Sequence, residues 1–221
     1  MCIRDRPNIG AFSDEQRFQQ TIDTLKSVRE RVPSAIIVLS DVSVRPLSDS
    51  EKKMIADHSD YYLDIGQEPT VRQLSINGMK SQAENVLMFH TLATLKNSPQ
   101  TSRMMNSVKR IFKFSGRTIL EESFDISEYD ELFGKFVFLK RIPTWMNQNQ
   151  VSHLLITRMF SMCPSLIDTY LNIIPKNLQL VDAGFDTEHA HFANIPKQYL
   201  VEFDKLHCWG WLAGNGQIEH Y

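Results

Sequence analysis

Two short stretches hold the residue types from which a reaction is built. In IFKFSGRTILEESFD, Ile111 to Asp125, an apolar run gives way to Ser115 and Gly116 and then to Arg117. Glycine lets a backbone approach a ligand closely, and a guanidinium fork matches phosphate oxygens in a bidentate way. In an extended chain Lys113, Ser115 and Arg117 have the same parity, so one strand face would carry two cations and a hydroxyl. The competing reading leaves Lys113 solvated and pairs Arg117 with Glu121 or Glu122. In DTEHAHF, Asp186 to Phe192, two acids and two histidines stand within one short stretch. Asp186, Glu188, His189 and His191 are weak candidates for metal ligands. Alternate positions do not share a helix face, so a shared ion would need a loop or strand here, and a polar helix start is the more ordinary reading. Glu188, a carboxylate beside a histidine, is the better candidate for a general base.

Further candidates follow from position. Asp41 ends an otherwise apolar run, with Ser43 just beyond it, and a carboxylate at a strand end can accept hydrogen bonds from ribose hydroxyls or a base N–H. It can equally serve as an ordinary turn residue. Lys80 and Glu84 lie four apart and share a helix face, either as a surface ion pair or with Lys80 reaching a phosphate near a helix start. Arg158 follows the apolar run HLLIT. Trp209 and Trp211 share one face of a strand, either as core or as a surface for stacking. The common glycine-rich nucleotide loops and the nucleophile elbow are missing.

The elements that must position these groups alternate. Phe18, Ile22, Leu25 and Val28 recur at helical spacing over Asp14 to Arg31, behind a capping box of Ser13 and Gln16, with Pro33 as a stop. SAIIVLSD reads as a buried strand, LSDSEKKMIADH as a helix with a Ser48/Glu51 capping box, and DYYLDIG as a second strand. A longer helix is expected over Asn77 to Leu95. Further strands are expected in RIFKFSG, KFVFLKR, HLLITRMF and LHCWGWLAGNG. Cys163 to Ile174 and Glu188 to Asn194 read as helices. Such alternation predicts the α/β class, with a mixed, mostly parallel sheet in a single Rossmann-like domain.

The bulk composition sets bounds. A chain of 221 residues, 42% hydrophobic, can bury one sizeable core. A net charge of -2 argues against a broad nucleic-acid footprint. No apolar run is long enough to span a bilayer, which leaves peripheral membrane association open. Three isolated cysteines fit a reduced, cytoplasmic protein. The opening MCIRDR resembles the peptide encoded when sequencing-adapter DNA is translated at a contig edge. It is set aside as a non-native leader, 1–6, ahead of a domain over 7–221. The strand that should open a doubly wound domain would then be truncated.

RFQQTIDTLKSVRERVPSAIIVLSDVS resembles the opening of a nucleotide-sugar-dependent glycosyltransferase of the GT-A type. KSQAE, FKFSGRTIL, TRMFSMCPSLIDTY, EHAHFANIP and GWLAGNG resemble a little-characterised group of sugar transferases from marine microbes and their viruses. The resemblance covers most of residues 11–216. It implies a GT-A-type fold, a nucleotide-sugar donor and a saccharide or glycan acceptor. Position and resemblance together assign donor binding to Asp41, Ser43, Lys80, Glu84, Lys113, Ser115, Gly116 and Arg158, and chemistry to Glu188 and Arg117, with Thr157 preceding Arg158 in the "TR" motif. Two departures stand out: Thr118 replaces the tyrosine expected after Arg117, and no Asp-x-Asp occurs to hold a divalent metal, so metal use stays open. The alternatives are a non-catalytic nucleotide or sugar binder of the same fold, and another nucleotide-using transferase such as a methyltransferase.

Overall fold

The first helix shows how the sequence writes its own boundaries. Ser13 Oγ accepts the Gln16 N–H at 3.3 Å and Gln16 Oε1 accepts the Ser13 N–H at 2.8 Å, which closes the expected capping box. Asp14 and Glu15 lie in the first turn and Arg29 and Arg31 in the last, each sign opposing the helix dipole. The computed structural model describes residues 11–43, 46–144, 151–212 and 214–221. The leader assigned to residues 1–6 lies outside them.

In chain order the helices and strands are α1 (Asp14–Arg31), β1 (Val38–Asp41), α2 (Asp49–Ala56), β2 (Tyr61–Asp64), α3 (Pro69–Ile76), α4 (Lys80–Asn97), α5 (Pro99–Met105), β3 (Ile111–Phe114), β4 (Thr118–Leu120), β5 (Phe136–Leu139), β6 (Ile142–Pro143), β7 (His153–Leu154), β8 (Met159–Met162), α6 (Ile167–Asp182), α7 (Thr187–Asn194), β9 (Leu200–Phe203), β10 (Cys208–Trp211) and β11 (Ile218–His220). The chain forms two compact units. The first takes the described residues of Met1–Ala83 with Ser115–Ile126 and His207–Tyr221, and the second takes Glu84–Phe114 and Ser127–Leu206.

In the first unit α1 is buried on two sides. Phe18, Ile22 and Leu25 pack with Ile37, Leu39, Leu47 and Ile55. Gln20, Thr24 and Ser27, on the other side, are buried as well. The two hydroxyls are paired: Thr24 donates to Gln20 O, Ser27 donates to Thr24 O, and Ser27 Oγ accepts the Leu120 N–H at 3.3 Å from β4, while Gln20 Oε1 has no partner among the described residues. Between α1 and β1, Arg29 donates to Ala35 O and to Asp60 at 2.8 Å, and Asp60 accepts the Ile37 N–H at 2.7 Å. Burial pushes the Asp60 carboxyl up, but the Ile37 N–H and the Arg29 guanidinium outweigh it and hold the carboxyl below its ordinary range. β1 pairs in parallel with β2, from Val38 opposite Tyr61 to Asp41 opposite Asp64. A second, antiparallel sheet has the order β11-β10-β4.

In the second unit the sheet order is β3-β8-β5-β9, with β9 parallel to β5 and the other pairs antiparallel. Phe138 stacks on Phe160 at 4.7 Å between centroids, and α6 and α7 pack against each other. The α/β class and the mixed sheet agree with the sequence. The balance of pairing does not: among the described residues two pairings are parallel, β1–β2 and β5–β9, and the rest are antiparallel. Both parallel pairs have helix between their strands, as a parallel crossover requires.

Three local expectations need correction. HLLITRMF is not one strand: β7 pairs with β6, the chain leaves the ladder, and β8 begins at Met159. The backbone between finds other partners, the Leu155 N–H on Glu188 O at 3.1 Å and Thr157 O under Lys113. Arg158 therefore precedes a strand rather than following one. The helix expected to stop at Ile174 runs on through Pro175 to Asp182, because Tyr170, Ile173, Ile174, Asn177 and Val181 bury one face on both sides of the proline. The helix expected from Asn77 begins at Lys80, since α3 occupies the residues before it, with Pro69 in its first turn and Gly78 at φ 81 behind it.

Candidate functional site

The first unit holds six of the residues assigned to the donor or to chemistry, together with Trp209 and Trp211. Asp41 closes β1 with 1% of its surface exposed and accepts a hydrogen bond from Ser43 Oγ at 3.0 Å. Gly66 backs this loop: a Cβ there would lie 2.8 Å from Ser43 O. Burial raises the Tyr62 phenol well above its ordinary range, reinforced by the Asp41 and Asp64 carboxylates, so Tyr62 stays neutral beside them. Lys80 is exposed at the start of α4.

Ser115, Gly116 and Arg117 form a tight connection into β4, with the Thr118 N–H on Ser115 O at 3.1 Å. Arg117 O accepts the Trp211 N–H at 3.2 Å, and Thr21 Oγ1, which donates to Arg17 O at 3.0 Å, lies 3.5 Å from Gly116 O. The acids named as alternative partners for Arg117 have partners of their own. Glu121 sits 2.7 Å from His220 Nδ1, and Glu122 lies 3.5 Å from Arg31. Trp209 and Trp211 share one face of β10, edge to face at 4.7 Å, each half-buried.

The second unit brings the remaining candidates into one network. Lys113, on β3, points inward with 10% of its side chain exposed. Its ammonium donates to Glu84 Oε1 at 2.5 Å and to Thr157 O at 2.6 Å. So the residue that pairs with Glu84 here is Lys113, brought from β3, and Lys113 is not solvated. Burial pushes the Glu84 carboxyl up, but the Lys113 ammonium outweighs it and holds the carboxyl below its ordinary range. Thr157 Oγ1 donates to Glu188 Oε1 at 2.9 Å. Thr157 thus links the Lys113–Glu84 pair to Glu188 through its carbonyl on one side and its hydroxyl on the other. Glu188 shifts the opposite way from Glu84. Burial raises it first, and the Glu84 and Asp186 carboxylates raise it further. Two carboxyl groups joined through Lys113 and Thr157 thus have their proton affinities pushed apart, the arrangement that separates acid and base roles.

Asp186, Glu188, His189 and His191 lie at the start of α7, with Asp186 as its N-cap accepting the His189 N–H at 3.0 Å. His189 is fully buried, with Nδ1 on Asp186 Oδ1 and Nε2 2.5 Å from Thr144 Oγ1. His191 Nδ1 donates to Thr187 O at 2.7 Å, and its Nε2 accepts from Tyr170 OH at 2.7 Å. Burial lowers the His191 imidazole to about 4, which keeps it neutral. These bonds occupy the imidazole nitrogens a metal would need, and among the described residues no three His, Cys, Asp or Glu side chains gather to hold an ion. Neither histidine of this segment, in this arrangement, has a ring nitrogen free to hold a metal. Arg158 lies half-buried at the entry to β8.

Sequence reasoning missed two supporting residues. Tyr170 holds His191, and no local pattern links residues 21 positions apart. Gly210 stands between two tryptophans inside a strand, and that unusual placement of glycine was the available signal.

No family model and no curated protein matches this chain. Among solved structures it is similar to core-mannan synthase A of Aspergillus fumigatus in an Mn/GDP form, at 8% identity over 92% of this chain and 76% of that one, with a TM-score of 0.43. A likeness of that strength carries no functional argument.

Proposed function

We propose that the chain transfers a sugar from a nucleotide-sugar donor to a hydroxyl of a saccharide or glycan acceptor. The observation that carries this reading is the Glu188 carboxyl, held by Thr157 at 2.9 Å and raised in proton affinity by burial and by Glu84 and Asp186. A carboxylate raised toward the working pH is suited to take the acceptor hydroxyl proton as the hydroxyl oxygen attacks the anomeric carbon and the nucleoside diphosphate departs. In the first unit, Asp41 and Ser43 at the carboxyl end of β1 are assigned to the nucleoside. Lys80 and the Ser115–Gly116–Arg117 turn are assigned to its phosphates, where a fixed cation offsets charge on the leaving group. In the second unit, Glu84 and Lys113 fix Thr157 and with it Glu188, and Arg158 supplies a further cation. The resemblance of the sequence to GT-A-type sugar transferases supports the same roles.

A second reading, binding without turnover, is favoured by one observation. Lys113, a cation that the sequence resemblance assigns to the donor, is engaged by Glu84 and Thr157 O. The two readings separate in a donor-hydrolysis and transfer assay over a panel of nucleotide sugars, with and without a chelator. Release of nucleoside diphosphate above the uncatalysed rate supports the transferase. Saturable binding with no release from any donor supports the binder and overturns the transferase.

A further inference from the structure

We propose that Gly210 is a positioning residue for Arg117, setting the guanidinium through the backbone without touching the ligand. The inference rests on the reading that Arg117 faces the donor phosphates. Gly210 lies on β10 directly opposite Thr118 of β4. A Cβ at position 210 would stand 2.6 Å from Arg117 O, 3.5 Å from Arg117 C and 3.5 Å from Thr118 Cα. Real side chains do not sit 2.6 Å from a backbone oxygen, so any residue but glycine must push the Arg117 peptide away. Gly210 is not among the glycines with positive φ, so close approach, not backbone freedom, is what the position demands.

The peptide has little room to yield. On the β10 side the next residue, Trp211, donates its N–H to the same Arg117 oxygen at 3.2 Å. On the α1 side Thr21 Oγ1, whose proton goes to Arg17 O at 3.0 Å, packs 3.5 Å from Gly116 O. Within the turn the Thr118 N–H bonds Ser115 O at 3.1 Å. Arg117 thus leaves a backbone hydrogen-bonded at Ser115 O and at its own carbonyl and packed at Gly116 O between them, and that hold fixes where its side chain begins. A bidentate contact is sensitive to such placement, because a displacement of about 1 Å can cost on the order of a hundredfold in a positioned contact.

The test is a double-mutant cycle with Gly210→Ala and Arg117→Ala, alone and together. Affinity for uridine and guanosine diphosphate is measured by calorimetry, and thermal unfolding is followed in parallel. The expected result is a loss on the order of tenfold or more for Gly210→Ala when Arg117 is present, and less than about twofold when Arg117 is already alanine. A stability loss caused by overpacking alone appears equally in both backgrounds. Equal affinity losses in both backgrounds overturn the positioning role. An Arg117→Ala protein that binds as tightly as the unsubstituted one overturns the donor role of Arg117 instead. Should Gly210→Ala fail to fold, amide exchange in the unsubstituted protein decides the matter. The inference requires the Trp211 N–H to be strongly protected, and exchange as fast as in the exposed strand β11 overturns it.

Discussion

Arg117 and Glu188 are held in place by different kinds of group. In the first unit the Arg117 turn is gripped mainly by backbone: the Trp211 N–H, the Ser115 carbonyl and the missing Cβ of Gly210. In the second unit Glu188 is reached from the Glu84 carboxylate through the Lys113 ammonium, the Thr157 carbonyl and the Thr157 hydroxyl. Backbone amides do not titrate, whereas carboxylates, ammonium groups and imidazoles do. The backbone that carries Arg117 is therefore held by groups that do not titrate, while Glu188 sits in a network whose charge state sets its own proton affinity.

The largest stability effect should come from breaking the side-chain network. Lys113→Met leaves the Glu84 carboxylate without its ammonium. Loss of roughly 2–3 kcal/mol is expected, below the range for a fully buried pair because 35% of the Glu84 side chain stays accessible. Urea unfolding at neutral pH measures it, and a loss below about 0.5 kcal/mol, the size of a surface pair, would sink the network account.

Gly210→Ala should follow, at roughly 1–3 kcal/mol, the ordinary cost of overpacking. Its mark is that the loss stays constant with pH, since no titrating group is involved.

The third effect is the pH dependence itself. His191 is lowered from 6.5 to about 4 in the folded state, so the unfolded chain binds its proton first as pH falls. Its contribution to stability is complete above pH 6.5 and is lost as pH falls toward about 4. Glu84, also lowered, adds to acid loss as pH falls through its folded value. Glu188, raised, works the other way, contributing at low pH and losing that contribution as pH rises through its folded value. From His191 alone the slope reaches at most about 1.4 kcal/mol per pH unit. His191→Gln should flatten the profile between pH 6.5 and about 4, and an unchanged slope would show that His191 does not titrate as its burial demands.

The smallest effect belongs to the caps. Ser13→Ala removes one side of the α1 capping box and should cost about 1 kcal/mol, independent of pH and without effect on either candidate site.

These predictions follow the line between what could be read in the chain and what could not. The α1 boundaries were legible because Ser13, Gln16 and the stripe Phe18, Ile22, Leu25 and Val28 are local signals. The Ser48/Glu51 box was legible for the same reason, with Glu51 Oε2 accepting the Ser48 N–H at 2.8 Å. The Trp209–Trp211 face followed from strand alternation alone. Lys113 was misjudged in one reading as solvated because its partners, Glu84 and Thr157, come from distant segments that only the folded sheet brings to β3. The polar side of α1 was also hidden. Gln20, Thr24 and Ser27 look like a solvent face by composition, yet α1 is covered there too, its hydroxyls bonded to helix carbonyls and to β4. The helix expected to end at Ile174 continues through Pro175 because burial of Asn177 and Val181 beyond it outweighs the local cost of the proline.

No helix among the described residues is long and apolar enough to cross a membrane. The central claim reduces to one comparison. Glu188→Gln keeps the size of the side chain and its hydrogen bond from Thr157 while removing the base. The account predicts that sugar transfer falls by roughly 10²–10⁴-fold, with nucleoside diphosphate affinity and thermal stability little changed. Transfer within about tenfold of the unsubstituted rate would fall short of what a general base contributes and would contradict the account.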